Sequence, residues 1–124
     1  MATVLTIAAG GVAGTLARYF LQGWIQSRAG AFPLGTLIIN IVGSFVLGFV
    51  IRYGTGSTVL SPELRAALTI GFCGAFTTMS TFSYESTALL GDGEYWRAGI
   101  YMGGTIVGCL VAVIVGTVMA ERLL

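Results

Sequence analysis

Four apolar stretches occupy almost the whole chain, roughly Ala2 to Ile25, Leu34 to Ile51, Leu64 to Leu90 and Ala98 to Ala120. Each is long enough to cross a bilayer, because a helix rises about 1.5 Å per residue and the hydrocarbon core is about 30 Å thick. Helical spans satisfy their own backbone groups, as hydrocarbon demands. Composition agrees: 56% of the residues are hydrophobic and 9% charged, where a soluble domain has about a quarter charged. The 19 glycines suit helices that pack backbone to backbone in a membrane. So little sequence lies between the stretches that one four-span transmembrane domain is expected over residues 1–124. The first stretch lacks a basic start and exceeds the usual apolar signal core, so it is expected to stay in place as a span.

Several classes of chemistry are excluded. With no histidine in the chain, a histidine metal site or histidine base is ruled out. There is no Gly-rich phosphate loop and no carboxylate pair at a catalytic spacing, so an enzyme is not expected. Cys73 and Cys109 both fall inside apolar stretches and read as small packed thiols rather than a disulfide framework.

The charges are evenly divided. All six basic residues are arginine. Arg52, Arg65 and Arg122 fall on the side of the N-terminus, and Arg18, Arg28 and Arg97 on the other. A three-to-three split gives the positive-inside rule nothing to act on. The expectation is a chain that inserts both ways and pairs as an antiparallel homodimer; a weakly biased chain oriented by a partner is the alternative.

The connections carry local signals. Pro33 suits the first turn of the second helix. Ser61, Pro62 and Glu63 form a helix start with serine as cap and an acid in the first turn. Tyr95 and Trp96 suit an interfacial anchor. Gly10 with Gly14, Gly99 with Gly103, and Gly104 with Gly108 are each four apart, a spacing that lets helices approach closely.

Against this oily background, the polar residues stand out. The third stretch contains Thr77-Thr78-Met79-Ser80-Thr81-Phe82-Ser83, with Gly71 and Gly74 just upstream. Unpaired hydroxyls in hydrocarbon cost several kcal/mol, so a run this dense should line something polar. The glycines loosen the helix and the hydroxyls compete for backbone bonds, so the third helix should be broken near its centre. A broken helix exposes carbonyls, which suit a small hard cation such as sodium, and hydrogens, which suit an anion. Asn40 sits mid-span with Thr36 and Ser44 on the same helical face, as either interhelical glue or pathway lining. Tyr101, Thr105 and Cys109 repeat the spacing in the fourth stretch, where back-bonding to the helix is the bland alternative. Arg18 either draws an anion into a vestibule or reaches the interface with its stem. Glu85 should lie near an interface, solvated or paired.

These residues resemble the Fluc-type fluoride channels, the CrcB family, over nearly the whole length. The resemblance rests on Gly35 to Asn40, on Gly71 to Glu85, and on Arg18. It implies an antiparallel dual-topology homodimer in the cell inner (plasma) membrane, with two pores, that passively exports fluoride and confers fluoride resistance. It implies a fluoride pathway along Asn40, Met79, Ser80, Thr81, Phe82, Ser83, Tyr101 and Thr105, with Arg18 in the vestibule. It also implies a structural sodium ion held by the Gly74 and Thr77 carbonyls. No nucleic acid is expected as a partner. The chain departs from the family pattern at three places: Met79 stands where the first pore phenylalanine does, Ala75 follows Gly74 in place of a second glycine, and Cys109 stands where serine is common. A phenylalanine edge is mildly positive and a thioether is not, so rate or selectivity should shift while permeation survives. A small multidrug exporter of similar size would need an acid deep in the first span, and Met1 to Ile25 holds none. A packing subunit of a larger complex would explain the glycines but not three polar stripes.

Overall fold

The computed structural model describes residues 1–124, and every regular element in it is a helix. Three helices are long and apolar enough to cross a membrane: α1 (Ala2–Gln26), α2 (Leu34–Gly56) and α6 (Tyr95–Glu121). The third apolar stretch is divided. It begins as α3 (Pro62–Ala66), widens into a π-helical segment (Ala67–Cys73), closes as the short α4 (Gly74–Phe76) and resumes as α5 (Met79–Gly91).

Local chemistry sets these boundaries. The Ser61 hydroxyl accepts from the Leu64 N–H at 3.2 Å with Pro62 in the first turn, so α3 starts where the sequence signal places it. Pro33 stands one residue before α2, as its cap. Gly93, at φ 73°, makes the turn into α6 that residues with a Cβ resist. Tyr95 and Trp96 form the exposed first turn of α6 rather than the preceding loop.

α2 and α6 share the most extensive contact, while α1 lies along the π segment and α5 reaches α6. Close approach is made by glycine. A Cβ on Gly10 would collide with the Ala67 carbonyl, one on Gly14 with the Phe72 carbonyl, and one on Gly71 with the Ile7 carbonyl. On the other side, Gly48 and Gly116 do the same for α2 and α6, against the Val113 and Phe45 carbonyls. The four-apart pairs in the fourth stretch behave differently. Gly108 meets the Ile41 side chain, but Gly99, Gly103 and Gly104 have nothing within 4 Å. Only 22 of 124 residues are buried, so most of the apolar surface, including Leu16 and Phe20 on α1 and Leu110 and Ile114 on α6, faces outward.

Candidate functional site: a cavity at the Thr77–Thr78 interruption

The third stretch departs from α-helical geometry twice, in the π segment that contains Gly71 and again in the hydroxyl run. The helix runs through Gly71 and Gly74 and stops after Phe76, where Thr77 (φ −82°, ψ 158°) and Thr78 (φ −150°, ψ 117°) are extended. Gly71 also makes contact with α1. Two features hold the interruption open. The Thr78 hydroxyl accepts from the Thr81 N–H at 3.2 Å and caps α5, as threonine at an N-cap does. From α2, Asn40 meets Thr78 with both ends of its amide: the Thr78 N–H donates to Asn40 Oδ1 at 2.8 Å, and Asn40 Nδ2 donates to the Thr78 carbonyl at 3.1 Å. The two bonds together fix which end of the amide is which. One Asn40 N–H remains, since the amide carries two donor hydrogens.

That remaining hydrogen belongs to a side chain lining a cavity of about 320 Å³. Met79, Phe82 and Thr105 line it too, as do Gly74 and Thr77. No charged residue does. The Thr105 hydroxyl is buried and has no hydrogen-bond partner. An orphan of this kind costs about 1–3 kcal/mol and calls for an explanation. Met79 is 72% exposed at the rim. Phe82 packs against Tyr101 with ring centroids 5.3 Å apart.

The other residues of the expected pathway lie outside this lining. Thr81 accepts the Thr78 hydroxyl at 3.0 Å, so its own hydrogen is free. Ser80 is exposed, with its oxygen 3.4 Å from that of Thr78. Ser83 returns its hydroxyl to the Met79 carbonyl at 2.9 Å, which is the back-bonded alternative. Tyr101 is fully buried and donates to Glu85 Oε2 at 2.6 Å. Glu85 also accepts from the Thr36 hydroxyl at 3.0 Å, and Thr36 accepts from Gln22 of α1 at 3.0 Å. A second polar cluster therefore joins α1, α2, α5 and α6, separated from the cavity by Phe82. Its partners lie 16 and 49 residues from Glu85, which is why the sequence shows only a lone acid in an oily stretch. Arg18 forms no ion pair and borders an open pocket with Thr15, Tyr19 and Gln22.

The interruption also releases backbone oxygens. In a continuous helix the Thr78 N–H would return to the Gly74 carbonyl; here it goes to Asn40. The Thr77 carbonyl accepts no hydrogen bond. No cluster of three or more His, Cys, Asp or Glu side chains is present, so carbonyl oxygen is the natural ligand for a hard cation here.

The family described as CrcB-like protein, Camphor Resistance (CrcB), matches residues 5–117. The chain belongs to the CrcB family. Curated relatives match it from end to end. The fluoride-specific ion channel FluC of Geobacter sulfurreducens is 45% identical over 99% of this chain and 100% of its own. Its counterpart in Geotalea uraniireducens is 46% identical over the same shares, and that of Chlorobaculum tepidum 42% identical over 98% and 96%. With three helices apolar enough to span, this CrcB chain is a multi-pass protein of the cell inner membrane.

Proposed function

We propose that the protein is a passive fluoride-selective channel that lets fluoride leave the cytoplasm. The observation that carries this reading is the convergence of the spare Asn40 N–H and the partnerless Thr105 hydroxyl on one uncharged cavity. Fluoride is small and strongly hydrated, so a pore has to replace its water with donors at close range. A fixed positive charge would trap the ion, whereas conduction needs binding weak enough to release. Relatives bearing the name of fluoride-specific channels over their whole length support the choice of ion.

In this reading Asn40 does two things at once. Two of its hydrogen-bonding positions hold Thr78 extended, and the third meets the ion. The Thr105 hydroxyl turns to the same ion, and the Phe82 edge, positive at its rim, passes it toward the cluster around Glu85. There the ion accepts a hydroxyl hydrogen, from Tyr101 or Thr36, that otherwise goes to the carboxylate. Met79, Ser80, Thr81 and Ser83 flank the route near the start of α5, and Arg18 gathers anions in the vestibule.

The third apolar stretch then counts as a fourth membrane span, interrupted at Thr77–Thr78 and shielded by protein, as irregular backbone at membrane depth must be. Opposed copies pair into an antiparallel homodimer with two pores. The open Gly99, Gly103 and Gly104 surface of α6 and the balanced arginines support that pairing. The Gly74 and Thr77 carbonyls, freed from helical bonding, would hold a structural sodium ion at the dimer centre. When bound, sodium supplies positive charge to oxygens that would otherwise repel one another.

Efflux from liposomes holding the purified protein tests the reading. Fluoride should leave rapidly while chloride stays near the protein-free rate; equal loss of both anions, or of neither, overturns it. Three lysines inserted beside Arg52 should force one orientation and depress efflux, and undiminished efflux would count against opposed copies.

A further inference from the structure

The cavity at the interruption is lined by more than hydroxyls. Cys73 from the π segment, Met79 from the start of α5 and Cys109 from α6 all border it. Both cysteines are free thiols, Cys73 buried and Cys109 half-buried. Cys109 lies one helical turn from Thr105, whose buried hydroxyl has no partner in the same cavity. Two thiols and a thioether make a soft ligand set, of the kind that selects copper(I)-like cations over hard ones.

We propose that this cavity binds one soft monovalent cation of the copper(I) or silver(I) class, with Cys109, Cys73 and Met79 as ligands, and that the bound cation blocks the pathway. Deepening the channel reading, it rests on that reading for the block but not for the binding. Cys109, half-buried where Cys73 is buried, is the thiol that the cation reaches first. Its S–H bond breaks, the proton leaves to water, and the sulfur lone pair forms the bond to the cation. One proton is exchanged for one cation, so the lining stays neutral, as an apolar cavity requires. Cys73 and Met79 add neutral sulfur. A soft cation holds hard fluoride weakly, so it acts as a plug and not as a bridge for the ion. Binding competes with the proton and therefore weakens as pH falls.

Silver nitrate in chloride-free buffer is the probe. Purified protein should retain one silver per chain after desalting, measured by elemental analysis, and silver should stop fluoride efflux from liposomes. Each variant is compared with its own silver-free rate. Cys109→Ser should weaken silver retention by at least about tenfold, and Cys73→Ser by a smaller factor, with unchanged circular dichroism confirming the fold. The inference is overturned if silver is not retained, if Cys109→Ser and Cys73→Ser combined retain it as the parent does, or if retained silver leaves efflux intact. Protein that retains silver but shows no fluoride efflux before silver is added would sink the channel reading and leave the sulfur site standing.

Discussion

The two halves of α2 meet their neighbours by opposite means. Toward its C-terminus, Gly48 lies against the backbone of α6, and Gly116 of α6 lies against the backbone of α2. Phe45, Phe49 and Tyr53 stack alongside at 6.4 and 5.8 Å, and Arg52 pairs with Glu121 at 2.9 Å near the end. That half is a dry seam set by bare backbone and close packing. Toward its N-terminus, α2 presents Thr36 and Asn40, both buried and both hydrogen-bonded to distant segments. The dry seam tolerates no added atoms. The polar half tolerates no lost donors. A single helix thus serves as a rigid rail at one end and as a clamp on an interrupted segment at the other.

This contrast can be broken at either end. The largest effect is expected at the dry seam: Gly116→Leu forces a side chain into the Phe45 carbonyl and should cost about 3 kcal/mol, read as lost thermal stability in detergent. Survival at full stability would mean the seam can slide. Next comes Asn40→Asp, which sets an acceptor against the Thr78 carbonyl and removes the spare donor. Leaving that carbonyl unpaired costs about 1–3 kcal/mol, or roughly five- to 150-fold in an equilibrium, and fluoride efflux should fall to background. Normal efflux would remove Asn40 from the pathway. Thr105→Val sharpens the comparison because it separates packing from function. Removing an orphan hydroxyl should leave stability within about 1 kcal/mol or raise it, yet efflux should drop. If efflux is unchanged, the hydroxyl is an idle defect. The smallest effect is expected for Met79→Phe at the exposed rim, where conduction should persist; complete loss would show that the cavity has been rebuilt around methionine.

The sequence made the long helices legible because spanning a bilayer fixes both length and polarity. For the third stretch it pointed to an irregularity near the centre, from Gly71, Gly74 and the hydroxyl run. The chain widens around Gly71 and opens at Thr77–Thr78, and what no local pattern showed is that Asn40 gives the extended backbone its partner. Asn40 read as either glue or lining, and its geometry joins the two, since two bonds hold Thr78 and one hydrogen is left over. The glycine pairs four apart mark contacts on α1, whereas on α6 only Gly108 of those pairs meets α2, at Ile41, and the closest backbone approach falls at Gly116, outside them. Glu85 read as solvated or paired, but its partners Tyr101 and Thr36 escaped because they come from helices far along the chain, and no local spacing encodes a cluster built by tertiary packing.

The wide coil from Ala67 to Cys73 has a consequence for how this protein can change. Its rings close on the fifth residue, one more than in an ordinary helix, so the stretch holds surplus length within a fixed axial distance. Dropping a single amino acid there would let the coil close with ordinary four-residue rings over nearly the same length, leaving Thr78 beside the amide that grips it. The same loss inside the regular helix α5 would turn its later residues by about 100° against their neighbours.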